Sequence, residues 1–167
     1  MASGNTHDAP SVRPAPRSAL VIGVGNDTRG DDAAGLVVAR RLRKKGIPNV
    51  TCTDAPTDAL SLIGQWDEVP LVVVVDAASS GAAAGTVHRI DALQGPLPCL
   101  LRPMSSHGFG VIEVIELARA LGRLPSRLLV YGIEGENFEP GARMSPAVHT
   151  AIESVTRFIT VDCVRAD

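Results

Sequence analysis

Cysteine is scarce in this sequence and does not come in pairs. Cys52, Cys99 and Cys163 are the full complement in 167 residues, with no C-x-x-C spacing among them. That excludes a disulfide framework and gives no zinc or thiol redox signature, so the three read as buried thiols in a reducing compartment. An excess of charge of one sign is also lacking. Lys and Arg number 16 against 18 Asp and Glu, for a net charge of -2 and a pI of about 6.1. The one cationic cluster, Arg40, Arg41, Arg43, Lys44 and Lys45, falls near the end of a predicted helix, where cations offset the helix dipole. It reads as a solvated face, and nucleic acid is not an expected partner. No apolar run approaches the length of about 20 residues that a membrane span needs, and the N-terminal stretch has no apolar signal region. The expectation is a cytoplasmic protein with no membrane partner. No internal repeat, interdomain linker or G-K-[ST] phosphate loop is present.

The length suits one domain with its own core. Residues 1–17, MASGNTHDAPSVRPAPR, are rich in Pro, Ala, Ser and polar groups and read as a disordered tail, with His7 in it, ahead of a domain spanning 18–165. Within that domain apolar strands alternate with helical periodicity. Residues 19–24 make a first strand, and 31–45 a helix carrying Ala34, Val38 and Leu42 on one stripe, stopped by Gly46 and Pro48. A second strand is predicted over 49–53 and a short helix over 58–64. The run LVVVV at 71–75 is continuously apolar and β-branched, as in a central parallel strand covered on both faces, and ends at Asp76. Residues 86–90 follow too soon for a crossover helix and are expected as an antiparallel edge strand. A helix over 107–121 bears Val111, Ile115, Ala118 and Leu121, and a last strand runs over 127–133. Ser145 as N-cap and Pro146 at the first helical position then open a final helix with Val148, Ile152, Val155 and Ile159 on its buried face. The predicted architecture is a three-layer α/β/α sandwich around a mostly parallel five-stranded sheet with one antiparallel edge.

The most informative stretch is VIGVGNDTRGDDAAG, residues 21–35, in which an apolar strand stops at a Gly-Val-Gly-Asn turn and presents two adjacent carboxylates. One aspartate at a helix N-terminus is ordinary capping; two exceed that need. The carboxyl ends of strands are where open α/β sheets build ligand crevices. Asp32 follows the first strand, Asp76 closes the third and His107 precedes a helix, so the winding can bring all three together. Two carboxylates and an imidazole suit a borderline divalent ion and leave coordination positions open for a substrate group. Aspartates at strand ends also serve simply as turn caps.

The other polar residues carry plainer readings. Asp31 reads as a structural cap, Asn26 as a turn former, and Asp54 as either site rim or turn former. Glu134, at the end of the last strand, can line the crevice but is expected at the surface. His88 and His149 are expected in structural or surface roles, with Glu113 and Glu116 facing water. Gly23 and Gly25 could serve a dinucleotide, but Thr28 replaces the third glycine of that fingerprint and paired aspartates would repel a pyrophosphate.

Four segments, taken in order, resemble the nickel-iron hydrogenase maturation endopeptidases: VIGVGNDTRGDDAAG, then LVVVVDA at 71–77, SSHGFGVIEVIELARALG at 105–122 and YGIEGENFEPGARMSPAV at 131–148. The resemblance implies that Asp32, Asp76 and His107 are both the metal-engaging and the catalytic positions. It implies an endopeptidase that removes the C-terminal extension of a hydrogenase large-subunit precursor once nickel has been inserted. The nickel is then expected mainly from the substrate, and the nickel-loaded precursor is the partner. The chain departs from the family at DAPTDA, residues 54–59, where members often carry an acidic residue and two glycines. Ala33 also stands where many members have glycine, and Ser106 lies at a varied position. The altered loop leaves a second reading, a non-catalytic assembly factor that binds the nickel-loaded precursor.

Overall fold

Alternation of strand and helix produces a single sheet with its helices divided between two faces. The computed structural model describes residues 18–55, 59–66, 69–98 and 110–165. In chain order these form β1 (Ala19–Gly23), a 3-10 turn (Gly30–Ala33), α1 (Ala34–Lys45), β2 (Val50–Asp54), α2 (Ala59–Gln65) and β3 (Leu71–Ala78). There follow β4 (Val87–Asp91), α3 (Val111–Ala120), β5 (Leu128–Glu134) and α4 (Pro146–Val164). Strand order is β2-β1-β3-β5-β4. The first four are parallel, and β4 runs antiparallel to β5 at the edge. This is the predicted architecture. The expected tail at 1–17 lies outside the described residues.

Successive residues of a strand face opposite sides of the sheet, and here both sides are covered. Val72 and Val74 of β3 enter one core with Leu62, Ile63, Val114 and Ile115 of α2 and α3. Val73 and Val75 enter the other with Val38, Leu42, Ile152 and Val155 of α1 and α4. An all-apolar β3 is what two covered faces require. The helix ends follow their signals: Gly46 takes a left-handed φ of 62° at the end of α1, and Ser145 Oγ accepts from Val148 N–H to cap α4.

Three expectations are adjusted. β3 continues to Ala78 because its ladder with β5 runs on to Glu134, so Asp76 lies within the strand, opposite Gly132. The predicted start of the first helix falls instead in a 3-10 turn, and regular α-helix begins at Ala34. In the described part, the third helix spans Val111–Ala120, and Leu121 just past its end is exposed rather than buried on the stripe.

A polar tie joins the edge strand to the last helix. The buried Tyr131 hydroxyl donates to Asp162 at 2.6 Å, and Arg89 of β4 pairs with both Asp162 oxygens. Burial works against the Asp162 charge, but the hydrogen bonds from Arg89 and Tyr131 outweigh it and hold the carboxyl below its usual range.

Val73→Asp is expected to abolish folding. It would place an unpaired charge in a fully buried position of the central strand, at a cost of about 3–5 kcal/mol or more, comparable with breaking a buried ion pair. Loss of cooperative thermal unfolding by circular dichroism would show it.

Candidate active site

The site is built where the turn after β1 meets the end of β3. Val24 N–H donates to the Val75 carbonyl at 2.8 Å, extending the contact between the two strands. Gly35, in the first turn of α1, sits directly against this junction: a Cβ there would overlap the carbonyl oxygens of Val75 and Val24. Absence of a side chain thus lets the helix start lie on the strand ends. Gly25, at φ 137°, turns the chain so tightly that a Cβ would overlap the Asp32 carbonyl oxygen. Asn26 shapes the same turn, as expected. Its Oδ1 accepts from the Thr28 N–H at 2.9 Å and the Thr28 hydroxyl at 2.8 Å.

This geometry brings Asp32 and Asp76 together. Each carboxylate is partly covered, and burial pushes both upward. At Asp32 the Arg29 charge partly opposes that shift. At Asp76 burial dominates and the Asp32 charge adds to it, while one hydrogen bond from Ala77 N–H at 2.8 Å opposes it; the result is about 7. Two carboxyl groups that each resist ionisation and repel one another form a place where a cation would be favourable.

Asp31 does different work from its neighbour. It is completely buried, and Oδ2 accepts from the N–H groups of Glu136 and Asn137 at 3.0 Å each, while Oδ1 accepts from Ser145 N–H at 2.6 Å. The structural role read from the sequence holds, but the capped backbone belongs to the β5–α4 loop and not to Asp31's own helix, whose start has no side-chain cap. Arg29 reinforces this join by donating from Nε to the Phe138 carbonyl at 3.0 Å.

On the far side of the site, Asp54 ends β2 and accepts from Arg40 at 2.7 Å and from Arg43 at 3.0 Å; Arg40 also pairs with Asp27. The cationic cluster is therefore not wholly a solvated face, since two of its members brace the turn after β1 and the end of β2. Glu134, expected at the surface, is instead buried, with Ser80 and His88 as partners. Glu116, expected to face water, accepts from Leu97 N–H and pairs with Arg119. Cys163 is buried as read, whereas Cys52 is only partly covered and Cys99 lies outside the described residues.

The structure thus joins Asp32 with Asp76, and His107 lies outside the described residues. Among the described residues no group of three His, Cys, Asp or Glu side chains forms a metal site. The buried roles of Asp31 and Glu134 carried little sequence signal, because their partners are remote in the chain or on neighbouring strands.

Two outcomes follow. Asp31→Ala leaves three N–H groups without their acceptor and is expected to cost about 3 kcal/mol, measurable by urea denaturation. Asp76→Asn should act in the opposite direction. A carboxyl raised from 3.8 to about 7 in the fold penalises folding increasingly as pH rises between those values, and the full penalty stands above the upper one. The asparagine variant should therefore melt above the wild type at pH 8, an advantage that shrinks toward pH 4; a constant difference between the two melting curves would contradict it.

Residues 36–164 match the family described as Hydrogenase maturation protease. The hydrogenase expression/formation protein HupD of Thiocapsa roseopersicina is 30% identical over 159 residues, spanning 89% of this chain and 72% of that protein. The hydrogenase 2 maturation protease of Escherichia coli strain K12 is 29% identical over 137 residues, spanning 80% and 83%. Among solved structures, the hydrogenase maturating endopeptidase HybD from E. coli aligns with a TM-score of 0.70 at 26% identity, covering 84% of this chain and 88% of that one. The NiFe hydrogenase maturation protease HycI from Thermococcus kodakarensis KOD1 aligns with a TM-score of 0.68 at 26% identity, covering 90% and 93%. With its five-stranded mixed sheet and these matches along most of its length, the chain belongs to the hydrogenase maturation protease family of hydrolases.

Proposed function

We propose that this protein is an endopeptidase that removes the C-terminal extension of a nickel-iron hydrogenase large-subunit precursor after nickel insertion. The observation that carries the reading is the convergence of Asp32 and Asp76 from two separate elements onto one partly covered place. Among the described residues each is short of compensating partners, and both coincide with positions that the family resemblance marks. His107, by the same resemblance, supplies the third donor.

In this reading nickel is part of the substrate. The bound precursor presents a nickel centre with open coordination positions, and Asp32, Asp76 and His107 engage it. A mixed oxygen and nitrogen set suits a borderline divalent ion. Precursor without nickel would leave the two carboxylates facing each other uncompensated, so recognition of the metal and rejection of the unfilled precursor arise from the same repulsion. Cleavage consumes one water: its oxygen joins the scissile carbonyl carbon, the C–N bond breaks, and the departing amine takes up a proton. A positioned carboxylate assists that proton transfer. The change at DAPTDA leaves both aspartates in place. Ala55 continues the β2 end by donating to the Gly23 carbonyl at 2.8 Å, and residues 56–58 lie outside the described part. No helix among the described residues is long and apolar enough to cross a membrane, and a cytoplasmic location is proposed with the function.

The test is the intact mass of a nickel-loaded large-subunit precursor incubated with the protein, beside a nickel-free control. Loss of one defined C-terminal peptide from the nickel-loaded sample alone is the expected result. Stable association without loss of mass would support the assembly-factor reading instead. Asp76→Asn and His107→Ala are each expected to abolish processing; wild-type turnover by either would remove that residue from the site.

A further inference from the structure

The cations of α1 fall into two groups according to the face they occupy. Arg40 and Arg43, three residues apart, pair with Asp54 at the end of β2, and Arg40 also pairs with Asp27. Arg41, Lys44 and Lys45 share the neighbouring face, and among the described residues none of their side chains has a hydrogen bond or an ion pair. Like charges three and four residues apart on a helix repel one another. Offsetting the helix dipole calls for cations in the last turn, which Arg43, Lys44 and Lys45 supply; Arg41 lies before it.

This second face borders α4. The two helices pack through Val38, Leu42, Ile152 and Val155, and beside that seam they form a groove of about 530 Å³ lined by Arg41, Lys44, Lys45, Glu153, Thr156 and Arg157. Thr156, the buried member of the lining, donates its hydroxyl to the Ile152 carbonyl at 2.6 Å, so the donors left for a ligand are the cations. Arg157 follows Glu153 by four residues, a spacing at which opposite charges on a helix ordinarily pair. It donates instead to Ser154 Oγ at 3.3 Å and forms no ion pair among the described residues. Four cations from two helices thus line one open groove, with a single carboxylate among them.

We propose that this groove is a docking surface for an acidic segment of the hydrogenase precursor. The inference rests on the endopeptidase reading and adds to it a second place at which the substrate is held. The chain as a whole carries a net charge of -2, so the positive field is local, and Glu153 interrupts it. A nucleic acid presents closely spaced negative charge along its whole length, which a net negative protein with four cations in one groove does not match. Separate aspartates and glutamates on a folded partner do match, since each can take one cation and avoid Glu153. From Ala34, where α1 leaves the Asp32 turn, Arg41 to Lys45 lie about 10–17 Å along the helix at about 1.5 Å per residue. A standard interface of about 800 Å² per partner is wider than that, so one bound precursor can span both places. A contact this far from the reacting bond aids capture of the precursor and leaves the chemical step alone.

Lys44→Glu with Arg157→Glu reverses one cation from each helix, and Arg127→Glu with Arg165→Glu makes the same change in net charge at exposed positions outside the groove. For the wild type and both double variants, kcat and KM for the nickel-loaded precursor are measured, with its Kd by titration calorimetry and the melting temperature of each protein. In the groove variant KM and Kd are expected to rise about tenfold or more with kcat unchanged, while the control variant stays within about twofold of the wild type. Between about 0.1 and about 1 M salt, as the Debye length falls from about 10 to about 3 Å, the difference should shrink. Wild-type KM and Kd in the groove variant would overturn the proposal and leave the endopeptidase reading intact. Equal weakening in both variants would also overturn it, by reducing the effect to net charge. Binding without cleavage by the wild type would overturn the endopeptidase reading, and the comparison of Kd values would still decide the groove. If the wild type neither binds nor cleaves the precursor, both fall. If the groove variant does not fold, Lys44→Gln with Lys45→Gln is measured in the same way, and wild-type Kd there would overturn the proposal.

Discussion

Everything at the site depends on how closely the start of α1 approaches the sheet. Helices normally stand off a sheet by the thickness of the side chains between them. At Gly35 no side chain intervenes, and the helix backbone rests against the carbonyl groups of Val24 and Val75. Because Asp76 is the next residue after Val75, this contact sets the distance between the two aspartates. A bulkier residue at Gly35 would leave both carboxylates in the sequence but move them apart. The glycine turn at Gly25 then delivers Asp32 to the same place, since its tight path needs a backbone conformation that side chains disfavour.

The adjacent pair Asp31 and Asp32 divides two tasks between similar side chains. Asp31 faces inward and joins the β1 turn to the β5–α4 loop through three backbone hydrogen bonds. Asp32 is left partly exposed beside Asp76. A single aspartate could not do both, because a carboxylate whose oxygens are filled by N–H groups has little capacity left for an incoming cation. The brace formed by Arg40, Arg43, Asp27 and Asp54 holds the opposite flank, and its charges are directed at one another instead of at the site.

Much of the fold was legible in the sequence, because β3 is apolar at every position of 71–75 and the helices keep a regular stripe. Asp32 and Asp76 were legible as neighbours because each follows the apolar run of a strand, and their convergence follows from parallel winding. What could not be read depends on contacts between distant residues. The partners of Asp31 lie more than 100 positions away, so a helix cap was the natural local reading. Glu134 was misplaced at the surface because a carboxylate after an apolar strand ordinarily marks an exit to solvent. Only the pairing of β5 with β3 and β4 shows that Ser80 and His88 are there to receive it. The extra length of β3 was likewise set by its partner strand and not by its own composition.

A comparison among the carboxylates shows which of them the fold treats as structural. Asp31 receives three N–H groups, Glu134 receives Ser80 and His88, and Asp162 receives Arg89 and Tyr131. Each is given donors that satisfy its buried oxygens. Among the described residues Asp76 receives one, from the N–H of the next residue, and it faces another negative group besides. A fold selected only for stability would replace such a residue with a neutral one, since a charge that lacks partners makes folding less favourable. The deficit at Asp76 therefore sets it apart from the carboxylates that hold the fold together. Since the deficit is in positive charge and hydrogen-bond donors, a cationic or donor-rich group is what would relieve it.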